Sequence, residues 1–120
     1  MKTASGKAKG RRLQKMIRDH LRQVGDRYGL ELEDIESRPM GCSGVDCILS
    51  PKAKRVFPFS VEAKNQESLN VTKEFHSHYE KYRKDKTLKL LVHSRNRSTP
   101  LVTMRWKDFM KLYGLYLKSK

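Results

Sequence analysis

Cysteine is scarce in this 120-residue chain, with only Cys42 and Cys47 present. Two thiols cannot build the disulfide framework that staples small secreted domains, so both read as free thiols of a reducing compartment. Their spacing is wider than that of a zinc knuckle and no second pair follows. His76 and His78 would have to complete such a site, against the usual ligand spacing. Long apolar runs are missing too: nothing approaches the roughly 18 consecutive apolar residues of a membrane span. The basic start, Met1 to Lys7, is not followed by the apolar stretch of a secretory signal. Acidic residues are few, 13 against 27 Lys and Arg. There is no internal repeat and no low-complexity linker. These absences argue against a disulfide scaffold, a membrane span and a repeat array, and they place the chain in the cytoplasm.

What is present is positive charge, a formal +14. A surplus of this size on a small chain creates a field that attracts polyanions and speeds their encounter. Charge alone does not separate DNA from RNA, or nucleic acid from an anionic membrane. The length suits a single domain with one core. Residues 1–10 are small, polar and basic and read as a flexible arm, leaving 11–120 as the domain. Seven basic residues (Lys2, Lys7, Lys9, Arg11, Arg12, Lys15, Arg18) precede the first acid, Asp19. They form either a solvated terminus or a phosphate-contacting arm.

From Arg11 to about Arg27, Leu13, Met16, Ile17, Leu21, Val24 and Tyr28 recur at helical steps, so this face is expected on a sheet, with Gly29 as the stop. Ile35 belongs to a brief strand among acids. Pro39 to Gly44 is a turn, and Val45 to Leu49 a buried strand ended by Ser50-Pro51. Lys52 to Arg55 is a basic loop or single helical turn. The next strand alternates clearly: Phe57, Phe59, Val61 and Ala63 on one side, Ser60, Glu62 and Lys64 on the other. A second helix is expected from Val71 to about Lys84, with Val71, Phe75, Tyr79 and Tyr82 inward; His76 and His78 on it either reach the cleft or, as is commoner for helical histidines, are exposed and incidental. Leu88 to Val92 and Leu101 to Met104 are strands, separated by a basic loop containing Arg95, Asn96 and Arg97. Trp106 to Leu117 is a closing helix, with Phe109, Met110, Tyr113 and Leu117 expected inward.

Asp46 and the Glu62-Ala63-Lys64 run carry the chemistry. Phosphodiester cleavage needs an activated water, a Lewis acid on the phosphate and help for the leaving oxygen. A hard cation such as Mg²⁺, with Mn²⁺ as substitute, asks for oxygen ligands. Asp46 and Glu62 supply carboxylates, and the Ala63 carbonyl can add a third oxygen. Lys64 can orient a water or offset charge on the phosphate. An acid and a lysine two apart on a strand are ordinary on a solvated sheet face. The context makes them specific: a glycine turn before Asp46, a short basic link to the Glu62 strand as a hairpin partner, and a helix on either side. Asn65 and Gln66 contact DNA or cap the next helix. Arg95 and Arg97 are phosphate contacts if their loop faces the groove. Ser43 is a turn serine, or approaches a phosphate.

Asp46 followed by Glu62-Ala63-Lys64 resembles the signature of the PD-(D/E)XK nuclease superfamily. The run Arg38 to Asp46, with Phe57-Pro58-Phe59 before the Glu62 strand, resembles small phage-type Holliday junction resolvases. The glycine-bounded turn before the aspartate is also similar to archaeal junction resolvases. The resemblance implies an α/β, restriction-endonuclease-like core. This is a central mixed sheet flanked by helices, in the order αβββαβ, here with a C-terminal strand and helix. It covers about Lys9 to Tyr113. Val45 stands where the family's name has proline. Many members complete the metal site with a glutamate on the first helix; the matching position holds Gln14, and Asp34 or Glu36 could replace it.

The resemblance implies a Mg²⁺-dependent, structure-selective DNA endonuclease acting on branched or junction DNA as a homodimer in a phage or bacterial host cell. The alternatives are a nicking, homing or restriction-like endonuclease on ordinary duplex, and a non-catalytic basic nucleic-acid-binding protein.

Overall fold

The computed structural model describes residues 4–38 and 44–120, with side chains from Ala8 onward. Ser43, Cys42, most of the turn before Gly44 and the Lys7 side chain lie outside the described residues. The elements are α1 (Ala4–Asp26), a 3₁₀ turn (Leu32–Asp34), β1 (Ile35–Ser37), β2 (Cys47–Leu49), α2 (Pro51–Val56), β3 (Phe59–Asn65), α3 (Val71–Lys81), β4 (Leu88–Ser94), β5 (Leu101–Thr103) and α4 (Trp106–Lys118). This is an α/β fold. No helix among the described residues is long and apolar enough to cross a membrane.

The strands form two small sheets, not one central sheet. β1 and β2 pair antiparallel, with Ser37 opposite Cys47. β3 and β4 run parallel, with Glu62 beside Leu91 and Lys64 beside His93; β5 joins β4 antiparallel. A parallel pair needs a crossover, and α3 supplies it. The expected hairpin between the Asp46 and Glu62 strands is absent. Among the described residues the two sheets meet at one backbone bond, Asp46 N–H to the Val61 carbonyl at 3.0 Å. The link between them is a helix, α2, because Ser50 caps it, its hydroxyl accepting from Ala53 N–H at 3.0 Å, and Pro51 opens it. Phe57 therefore caps α2, and β3 starts at Phe59.

α1 lies on one face of the β3–β4 sheet. Leu13 and Ile17 are buried against Val61 and Cys47, with Ala63, Leu90 and Val92 alongside. The expected apolar stripe is buried only in part: Val24, within α1, and Tyr28, beyond its end, remain exposed, and Gly29 (φ +78) follows the helix end. The helix also begins earlier than expected, at Ala4. Ala and Lys favour helix enough to carry it through Gly6 and Gly10, so the backbone from residue 4 onward is helical.

α3 covers the opposite face, which carries Ser60, Glu62, Lys64, Lys89 and Leu91. Asn70 caps it, accepting from Lys73 N–H at 3.1 Å, so neither Asn65 nor Gln66 is the cap. Its inward residues are Phe75 and His78, correcting the expectation of an exposed histidine. The reason is that this sheet face is polar, so the helix presents a polar side chain to it. α4 departs furthest from expectation. Phe109, Met110, Tyr113 and Leu117 are all exposed, and the helix buries none of its residues.

Candidate nuclease-type site

The site forms where the two sheets touch. Gly44 adopts φ +118, a conformation other residues rarely take. A Cβ there would meet the Arg38 guanidinium at 2.7 Å. This turn lets Arg38 donate from Nε to the Val45 carbonyl at 2.7 Å, while Arg38 N–H reaches the Asp46 carbonyl at 2.9 Å. Asp46 is thus held by its backbone on both sides. Its carboxylate then accepts the Ala63 N–H at 2.6 Å. A strand residue's N–H and C=O point to the same edge, so the Ala63 carbonyl also faces the Asp46 edge of β3.

Glu62 and Lys64 project from β3 toward α3. Lys64 Nζ lies 3.7 Å from Glu62 Oε1 and 4.0 Å from Glu74 Oε2, a bridge between strand and helix. His78 is buried, and its Nε2 sits 2.8 Å from the Ser60 carbonyl. A carbonyl only accepts, so Nε2 carries the proton. Nδ1 has no hydrogen-bond partner and faces Glu62 Oε2 at 4.0 Å.

Electrostatics tie these groups together. Burial pushes the Asp46 carboxyl up, against the pull of the Ala63 N–H and the charges of Lys64, His78 and Arg38. Burial also raises Glu62, and the negative charge of Asp46 raises it further, while Lys64 and Lys81 pull it down. Burial lowers His78, which favours the neutral ring. Two desolvated carboxylates resisting ionisation form an environment that a bound cation would relieve.

Among the described residues no group of three or more His, Cys, Asp or Glu side chains is arranged to hold a metal ion. An ion here would rest on Asp46, Glu62 and the Ala63 carbonyl, with water or phosphate oxygens completing its shell. That donor set is all oxygen and suits Mg²⁺ or Mn²⁺. Gln14 is half-buried on α1, next to Leu13 on the face against β3. Asp34 is not brought to the site. It lies beyond the Leu49 end of the β1–β2 pair, whereas Asp46 adjoins the Ser37 end. Its carboxylate accepts from Ser50 Oγ at 2.7 Å and from Glu31 N–H at 2.8 Å. These bonds hold it below its ordinary value, and it serves as a cap. Glu36 is exposed on β1.

A basic cleft of about 650 Å³ opens beside the C-terminal end of β3, lined by Lys9, Arg12, Glu67, Asn96 and Arg97. Asn96 N–H binds Glu67 at 2.9 Å, tying the β4–β5 loop to the segment after Lys64. Arg97 takes a positive φ of 58° there. Glu67 is three residues beyond Lys64, roughly 10 Å of extended chain. Lys9, Arg12 and Arg97 are therefore brought together beyond the C-terminal end of β3, on the α1 side, whereas Glu62 and Lys64 face α3. Arg11 and Arg95 are exposed but do not line this cleft.

Glu74 was missed as a site residue, and for His78 the cleft was ranked behind an exposed position. Val71, Glu74, Phe75, His78 and Tyr82 follow one helical face, and that spacing was the available signal. Compared with protein-family models, curated proteins and solved structures, the chain matches none, so its functional reading rests on this geometry.

Proposed function

We propose that this protein is a metal-dependent endonuclease that hydrolyses phosphodiester bonds in DNA, selecting branched substrates such as four-way junctions. The observation that carries the reading is the Asp46 carboxylate bonded to Ala63 N–H. That bond sets Asp46 against the strand bearing Glu62 and Lys64. Asp46, Glu62 and the Ala63 carbonyl would hold Mg²⁺, with Mn²⁺ as substitute. A bound divalent ion supplies a Lewis acid for the phosphate and lowers the pKa of water.

The chain's own residues do the rest. Lys64, steadied between Glu62 and Glu74, donates to the attacking water or to a phosphate oxygen. His78 limits how Glu62 can turn. Lys9, Arg12 and Arg97 grip the phosphate backbone and carry no base preference, which suits recognition of shape. Two copies related by a twofold axis would match the near-symmetry of a four-way junction. The DNA of a phage-infected or bacterial cytoplasm is the expected setting.

A second reading is a non-catalytic basic nucleic-acid-binding protein. It is favoured by the count of acids, since Gln14 adds no carboxylate and no three-acid cluster is present among the described residues. The test is a panel of labelled four-way junction, flap, single-stranded and linear duplex DNA, each with Mg²⁺ and with chelator. Junction cleavage in Mg²⁺ alone supports the proposal. Sequence-preferring cleavage of linear duplex would move the reading to a restriction-like enzyme. Tight binding without cleavage in Mg²⁺, or in Mn²⁺ put in its place, would move it to the non-catalytic protein.

A further inference from the structure

α4 is an amphipathic helix whose apolar side is left exposed by the described residues. Trp106, Phe109, Met110, Leu112, Tyr113, Tyr116 and Leu117 lie on one side, and Lys107, Lys111, Gly114 and Lys118 on the other. Trp106, Phe109, Tyr113 and Tyr116 form an aromatic ladder, successive rings 6.0, 6.4 and 5.9 Å apart. These large side chains remain between 37% and 72% exposed. A half-exposed aromatic side chain offers about 100 Å². The whole side therefore approaches the roughly 800 Å² per partner that a stable interface needs.

The same chain carries an open apolar groove of about 430 Å³. α1 lines it with Met16, Ile17 and Leu21, and the sheet with Leu90, Val92 and Val102. It exists because α1 covers the β3 side of that sheet face and leaves the β4–β5 side bare. The helix of the same chain is held away from it. Arg105, the residue before α4, packs over the Tyr79 ring at 4.6 Å, and Tyr79 belongs to α3 on the opposite face.

From these two unpartnered surfaces we infer that two copies of this chain form a reciprocal dimer, the α4 helix of each seated in the α1–sheet groove of the other. The exchange is closed by a twofold axis, so it ends at two copies. It is independent of the chemistry at Asp46. Two molecules of +14 charge repel each other, so rising salt tightens this dimer. A lysine-flanked helix on an anionic lipid surface would respond in the opposite sense.

The experiment is mass measurement in solution, by light scattering and sedimentation, of the full chain without DNA, at low and high salt. The expected mass is twice 14.1 kDa. Two variants probe the two surfaces: Phe109→Glu with Tyr113→Glu on the helix, and Val102→Glu in the groove. All three positions are exposed, and circular dichroism checks that each variant folds. Each variant alone should dimerise about 30-fold more weakly or worse, as for loss of a central aromatic anchor. Mixed, they should recover a heterodimer, because the intact helix of the groove variant meets the intact groove of the helix variant. A monomer at all concentrations and salts would overturn the inference. So would a dimer indifferent to both variants, one lost only in the helix variant, the pattern of helix pairing with helix, or one lost in each and not recovered on mixing. Monomers that bind anionic vesicles, and release them as salt rises, would assign α4 to membranes instead.

Discussion

His78 donates from Nε2 to the Ser60 carbonyl across 2.8 Å, and that bond turns its other nitrogen toward Glu62. The imidazole is buried between α3 and β3, so a backbone carbonyl sets its tautomer and a carboxylate lies beyond it. With Nε2 holding the proton, Nδ1 is an acceptor that borders Glu62 without bonding it, so it lacks the hydrogen bond through which outer groups commonly change metal affinity 10- to 100-fold. His78→Ala should cost about 1–3 kcal/mol of stability by leaving the Ser60 carbonyl unpaired, and should leave Mn²⁺ affinity unchanged, as read by calorimetry. A tenfold or greater loss of metal affinity in a folded variant would contradict this.

The acids make a second prediction, for protein in chelator. Asp46 and Glu62 have carboxyl groups raised above their ordinary values of 3.8 and 4.5. A raised carboxyl favours the folded state most below its unfolded value, and that contribution is lost as pH rises through the folded value. Asp46→Asn and Glu62→Gln should therefore be as stable as the parent, or more so, at neutral pH. The gap should narrow as pH falls into the carboxylate range. Denaturant midpoints across pH measure this. A large loss of stability at neutral pH in either variant would contradict the account.

Gly44 supplies a third. Its φ of +118 is strained for any side chain. Gly44→Ala should cost about 1–3 kcal/mol and loosen the link that holds Asp46 to Ala63, lowering both thermal stability and metal affinity. A fully stable variant with unchanged affinity would show that the turn does not position the acid.

Cys47 supplies a fourth. Burial, with the charge of Asp46 beside it, pushes its thiol up to about 12. A buried thiol of this kind is inert. In a Cys42→Ser background, mass spectrometry after iodoacetamide at pH 8 should show Cys47 unmodified in folded protein and fully modified in denaturant.

Much of this was legible in the sequence because β3 alternates cleanly. Val61 and Ala63 face α1, and Glu62 and Lys64 face α3, as a two-residue period requires. What was not legible has two sources. The inward face of α3 was sought among apolar residues, which selected Tyr79 over His78, because the polarity of the sheet face beneath it is a tertiary property. α4 was given inward residues because its periodicity is strong. Periodicity reports an apolar face but not whether the same chain covers it. The position of Asp34 was set by the β1–β2 register, which turns it toward Ser50, away from Asp46.

The most direct measurement is titration of the DNA-free protein with Mn²⁺ by calorimetry, alongside Asp46→Asn and Glu62→Gln. The account predicts specific ion binding by each parent chain and its loss in both variants, with the fold intact by circular dichroism. Binding that survives both substitutions, or no binding by the parent either alone or with junction DNA, would contradict it.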